Sequence, residues 1–166
     1  LMRKTASSES ARDLAHDELQ RHADWLTKAQ EASQAGVWAM GQDSDQVRAS
    51  AHAARLFGFP PVPGMLPLDE FFRRMHTDDR ERVEEAFAAA WESGKPFHSE
   101  YRILLPDGRQ RWINAKGALA HDPGQTPRMT GTIVDVSERR DQQEQLVRAE
   151  TQFRELFELN PLPFWV

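Results

Sequence analysis

The chain has no cysteine and a single tyrosine among its 166 residues. Without cysteine there is no disulfide, no thiolate nucleophile, no Cys-ligated zinc and no cysteinyl cofactor adduct. Long apolar runs are missing too. No segment approaches the ~20 residues that cross a bilayer, and residues 1–30 are polar throughout, unlike a signal peptide. Neither sign of charge forms a block: 26 acidic and 21 basic residues are interspersed for a net charge of -5. That leaves no concentrated basic face for nucleic acid. The six histidines are scattered, none at a ligand spacing with a third group beside it, so no metal is expected. No Gly-rich phosphate loop, Ser/His/Asp set or kinase signature occurs, and the chain is not expected to be an enzyme.

What is present reads as alternating helix and strand. Ser10 and Asp13 resemble a capping box, and Ala15, Leu19, His22, Leu26 and Ala29 then recur at four- and three-residue spacing. This predicts a helix over residues 1–31, either a weak coiled-coil seam or an amphipathic helix on its own domain. Gly36 is expected to end it. Val37 to Met40 and Gln46 to Ala49 read as strands around the turn Gly41 to Asp45. Ser50 can cap a helix that stops at Gly58, and Phe59 to Gly64 is too proline-rich to be regular. After one or two helical turns at Leu68 to Met75, Thr77 is expected to cap a helix running to Ser93. That helix carries Asp78 and Asp79 at its positive end and Val83, Phe87, Ala90 and Trp91 on one face.

Three strands follow, at residues 97–105, 109–120 and 128–136, the first two joined by the turn Pro106-Asp107-Gly108. Ser137 is then placed to cap a polar helix with Leu146, Ala149, Phe153 and Leu156 at heptad-like spacing. The fold class is α+β: a five-stranded antiparallel sheet with short helices on one face and a helix at each end.

The turn also sets a register. Leu105 opposes Arg109, Ile103 opposes Arg111, Tyr101 opposes Ile113 and Ser99 opposes Ala115. One face then carries Phe97, Ser99, Tyr101, Ile103, Ile113, Ala115 and Leu119, directed at the Val83/Phe87/Trp91 helix. The other carries Glu100, Arg102, Leu104, Gln110, Trp112, Asn114 and Lys116. There Trp112 beside Arg102 suggests a cation–π pair, and Glu100 and Arg102 suggest surface ion pairs with Lys116 or Arg111.

The order of elements, with Gly36-Val37-Trp38, Leu56-Phe57-Gly58-Phe59, Met75-His76-Thr77-Asp78-Asp79-Arg80, Glu100-Tyr101-Arg102, Pro106-Asp107-Gly108, Arg111-Trp112-Ile113 and Gly131 to Arg140, resembles a PAS domain of the subclass common in bacterial signalling proteins. Thr77 departs from the proline usual in that segment. The resemblance implies a PAS domain over residues 32–137 and a linker helix over 138–159. Phe153 to Phe164 resembles the opening of a second PAS domain, whose first strand would begin at 160–166 of a longer parent protein.

The resemblance further implies a cavity lined by Val37, Phe57, Phe72, Val83, Phe87, Trp91, Tyr101, Ile103, Ile113 and Ile133. Asp135, Val136 and Ser137 would carry the signal to the exit helix. Homodimerisation would run through the flanking helices and the outer sheet face, with Leu19, Trp25, Leu26 and Trp112 at the interface. A haem-binding PAS usually offers a histidine from the long internal helix, and Thr77 to Ser93 has none. Trp38, Trp91 and Tyr101 suit a core as well as non-covalent flavin, so no cofactor is evident and a small organic ligand is expected. The implied role is a cytoplasmic sensor of a histidine kinase or a cyclic-di-GMP enzyme, with no membrane segment in this stretch. The competing reading is a ligand-free dimerisation and relay module.

Overall fold

A computed structural model of the chain describes residues 2–120, 123–124 and 126–159. The order is α1 (Met2–Ser33), β1 (Gly36–Gly41), β2 (Gln46–Ala49), α2 (Ala51–Leu56), β3 (Gly64–Pro67), α3 (Leu68–Arg74), α4 (Thr77–Ser93), β4 (Phe97–Leu104), β5 (Gln110–Ala120), β6 (Arg128–Asp135) and α5 (Ser137–Leu159). The second-domain opening at 160–166 lies outside the described residues.

The strands form one antiparallel sheet in the order β3-β2-β1-β6-β5-β4. The sheet has six strands, not five. Gly64-Met65-Leu66-Pro67 pairs with β2 from Gln46↔Pro67 to Ala49↔Gly64. It is a short edge strand bordered by prolines, where a ladder tolerates them. The β4–β5 register is the one read from the turn, with Tyr101↔Ile113 and Ser99↔Ala115 paired, and Gly108 takes φ 83° in the turn itself.

Period-two burial along β4 and β5 puts Phe97, Ser99, Tyr101, Ile103, Ile113 and Ala115 into the core, with Ile103 and Ile113 fully buried. Helices α2, α3 and α4 cover this inner face. Gly94 closes α4 in the left-handed conformation at φ 70°.

Several local expectations change. Ser10 lies inside α1, which runs from Met2, so the capping box does not start the helix. The residue with left-handed backbone after α1 is Gln34, φ 51°, not Gly36. The cap of α4 is His76, whose ring accepts from the Asp78 N–H at 3.3 Å, and Thr77 is already helical. Ser50 does cap α2, accepting from the Ala53 N–H.

Candidate functional site

Between the sheet and α3–α4 lies a cavity of about 80 Å³. Of the residues assigned to it from sequence, Phe57, Phe72, Val83, Phe87, Tyr101 and Ile133 line it. Ile103 and Ile113 are buried in the same core but behind the lining. Trp91 packs edge-on against Phe87, with ring centroids 6.4 Å apart, one layer further out. Val37 is a correction. It is 39 % exposed on the outer face of β1, because Gly36, Trp38 and Met40 take the inward positions.

Sequence reasoning left several lining residues off the cavity list, among them Met40, Phe71, Met75, Phe97 and, largest of all, Trp38. It is buried, lines the cavity, and lies across two paired glycines of β5 and β6, Gly117 and Gly131. A Cβ at Gly131 would sit 2.6 Å from the indole, and one at Gly117 would sit 2.9 Å from it. Two glycines thus make a flat seat on which a large ring can lie against backbone. Phe87 and Phe97 close around the indole at 6.1 and 6.5 Å between centroids. The lining is otherwise apolar, and burial pushes the Tyr101 phenol well above its ordinary range, which keeps it neutral.

The outer side of the same strands holds α5. Glu100, next to Tyr101, accepts from Arg139 at 2.7 Å, from Asn114 at 2.9 Å and from Arg140 at 2.5 and 3.1 Å. The Arg140 guanidinium stacks 3.9 Å above the Trp112 ring, and Arg102 lies 5.5 Å from it. The Arg102–Trp112 pair is thus present, but the charged partners of Glu100 come from α5. Those of Arg102 come from α4: Asp79, with Asp78 beside it. Neither pairs with Lys116 or Arg111 as the strand spacing suggested. Hydrogen bonding by Arg140, ahead of Asn114 and Arg139, holds the Glu100 carboxyl below its usual range.

At the exit junction Asp135 accepts from the Ser137 backbone N–H at 2.9 Å and from its hydroxyl at 2.6 Å. The Ser137 oxygen in turn accepts the Trp112 N–H at 2.9 Å, so this serine ties the junction to β5. Val136 N–H donates to the Trp112 carbonyl at 2.8 Å. Arg111 bridges the junction to α2: it lies 3.4 Å from Asp135 and donates to the Leu56 carbonyl at 2.7 Å. Leu56 adjoins Phe57 of the cavity wall.

Helix α1 does not cover the outer sheet face of its own chain. Leu19, Trp25 and Leu26 are 70, 65 and 58 % exposed, and Trp112 is covered by Arg140 instead.

The family model described as the PAS fold matches residues 46–133. The chain belongs to the PAS fold family. It is 31% identical over 143 residues to a blue-light-activated histidine kinase of Brucella anthropi, covering 82% of this chain and 27% of that protein. It is 32% identical over 94 residues to the sensor protein FixL of Bradyrhizobium diazoefficiens, covering 56% and 19%. The PAS chain thus spans about a quarter or less of these curated relatives. Among solved structures, a sensory box histidine kinase/response regulator from Burkholderia thailandensis superposes with a TM-score of 0.64 at 26% identity, over 78% of this chain and 98% of that one. The PAS/PAC-bearing N-terminal domain of a diguanylate cyclase from Marinobacter aquaeolei shares the fold, with a TM-score of 0.55 at 23% identity over 64% and 98%. This PAS module matches the sensory part of bacterial signal transducers.

Proposed function

We propose that this PAS module senses a small organic ligand in the Trp38/Tyr101 cavity and passes the event to α5. The observation that carries this reading is the alternation of β4 and β5. Tyr101 and Ile113 face the interior while their neighbours Glu100 and Trp112 hold the first turn of α5 from outside. A shift of the cavity wall therefore acts on the helix through one peptide unit. A ligand moves this equilibrium only by binding one arrangement better than the other. Asp135, Val136 and Ser137 are the hinge in this reading, and Arg111 brings in the α2 wall.

In this reading the ligand is smaller than a flavin or a haem. The cavity is well under the ~300–1,000 Å³ of drug-sized sites, α4 has no histidine, and no cysteine is available for an adduct. The output is that of a larger transducer, a histidine kinase or cyclic-di-GMP enzyme, with this module regulatory rather than catalytic.

The second reading, a ligand-free relay, is favoured by the exposed apolar positions Leu19 and Leu26 on α1 and Leu146, Phe153 and Leu156 on α5. Their seven-residue recurrences suit pairing with a second copy of the chain. Native mass spectrometry of protein purified from bacteria, beside its denatured mass, separates the two. A stoichiometric extra mass supports the sensor. A bare dimer that takes up nothing from a small-molecule library supports the relay.

A further inference from the structure

One wall of the cavity is thinner than the rest. Among the described residues that line it, Leu68, Phe71, Phe72 and Phe87 are those partly open to solvent, and three of these lie on α3. That helix buries none of its residues, and its N-cap, Pro67, supplies no side-chain bond. The other walls are held more firmly. The sheet is paired strand to strand, α2 buries Ala53, Ala54 and Leu56, and α4 is clamped to β4 by Asp79 and Arg102. A segment with few buried contacts opens before the core around it. The ends of α3 are nevertheless pinned. Leu68 N–H donates to the Asp45 carbonyl at 2.7 Å, Met75 bridges to Ile103, and Arg80 donates to the Arg73 and Met75 carbonyls at 2.9 and 3.0 Å. Pro67 and Met75, extended at ψ 132° and 139°, flank the helix and can take up its rotation.

The body of the helix is closed by a small set of contacts with the end of α2. Phe71 meets Phe57 and Phe59 edge-on, with centroids 4.8 and 5.3 Å apart. Arg74 lies 4.0 Å above the Phe59 ring and donates to the Phe57 carbonyl. Phe57 is the C-cap of α2, where a helix gathers partial negative charge. A Cβ at Gly58 would sit 3.0 Å from the same guanidinium, so the glycine leaves it room. The neighbouring Arg73 side chain pairs with Asp69 and Glu70 of its own helix. Arg74 is thus the side chain that fastens α3 to α2.

We infer that α3 is the door of the cavity and Arg74 its latch. When Arg74 leaves Phe57 and Phe59, the wall formed by Leu68, Phe71 and Phe72 swings outward while the sheet and α4 stay folded. The motion is a property of the chain alone; it rests on the sensor reading above only for what enters. A charge-assisted hydrogen bond present in the closed form and absent from the open one shifts their balance by about tenfold or more.

The chain has no cysteine, so one introduced thiol reports access. Val83→Cys places it on the α4 wall of the cavity, and Ile113→Cys places it behind the lining. The probe is methyl methanethiosulfonate, a small neutral reagent that leaves a methylthio group, and mass spectrometry follows labelling of the full chain in increasing urea. Urea speeds an opening in proportion to the surface that it exposes. Below the unfolding transition Val83→Cys should label faster than Ile113→Cys and almost independently of urea, whereas Ile113→Cys should follow global unfolding. Adding Arg74→Gln should raise the urea-independent rate of Val83→Cys about tenfold. Equal rates with equally steep urea dependence at the two thiols would mean that the cavity is reached only by unfolding, and would overturn the door. A urea-independent rate that Arg74→Gln leaves unchanged would overturn the assignment of the latch and of α3. Ala115→Cys, on the sheet wall of the same cavity, replaces Val83→Cys if that variant folds poorly. Labelling needs no ligand, so a chain that takes up nothing in native mass spectrometry loses the sensor reading and leaves this result standing.

Discussion

The Asp79 carboxylate receives both the backbone N–H of Arg102, at 2.9 Å, and its guanidinium, at 2.9 and 3.0 Å. Strand β4 is an edge of the sheet, so that N–H would otherwise be an open ladder position. Neighbouring edge groups are closed from the same side: His76 N–H donates to the Arg102 carbonyl and Arg82 to that of Glu100. The first turn of α4 therefore seals the strand edge. Its acidic pair does more than complement a helix dipole.

A pH dependence follows from this clamp. The Arg102 hydrogen bonds hold the Asp79 carboxyl at about 2, against the opposing effect of burial. Its folded-state pKa lies below the unfolded value, so its stabilisation is complete above the ordinary carboxylate range. It is lost as pH falls from about 4 through about 2, amounting to about 2 kcal/mol. Urea unfolding of the wild type should show this loss. Asp79→Asn should be about 2–3 kcal/mol less stable at pH 7, with a correspondingly shallower acid dependence. An equally steep acid loss in the variant would remove Asp79 as its source.

The glycine seat under Trp38 makes unequal demands at its two positions. A Cβ at Gly131 meets the Lys116 carbonyl at 2.0 Å as well as the indole, whereas one at Gly117 first meets the movable indole. Gly131→Ala should cost about 3 kcal/mol or more, and Gly117→Ala about 1–2 kcal/mol. Thermal melting followed by tryptophan fluorescence checks the order; equal losses would contradict it.

Releasing Glu100 should free α5 selectively. In Glu100→Gln the charge-assisted bonds to Arg139 and Arg140 weaken, while the inward residues are untouched. Amide exchange in residues 137–142 should quicken about tenfold, with β4 and β5 interior amides unchanged. Uniform acceleration across the sheet would mean that Glu100 serves global stability rather than the helix.

Dimerisation should depend on the apolar stripe of α1. Leu19→Glu combined with Leu26→Glu places like charges in any seam between copies, and should shift sedimentation from dimer to monomer with little change in melting temperature. Both leucines are exposed in the single chain. An unaltered dimer would assign association to other surfaces.

Much of the fold is legible locally because its signals are local. Pro106-Asp107-Gly108 fixes the hairpin, and period two then sorts Tyr101 and Ile113 from Glu100 and Trp112 without reference to any other element. Apolar spacing and Gly94 define α4 in the same way. Val37-Trp38-Ala39-Met40 has no such alternation, since four apolar residues in a row do not reveal which two face inward. Nor do Met65 and Leu66, between Gly64 and Pro67, alternate long enough to announce an edge strand.

The sequence by itself determined the helix and strand order apart from the edge strand β3, the hairpin register and the absence of cysteine chemistry, because each depends on residues close together in the chain. Only the tertiary structure decided what meets across distance. Pairing of β1 with β6 turned Trp38 inward onto Gly131 and left Val37 outside. Packing brought Asp79 to Arg102, 23 residues away, and Glu100 to Arg140, 40 residues away. A carboxylate in a sequence carries no mark of which guanidinium it will meet; chain topology makes that choice.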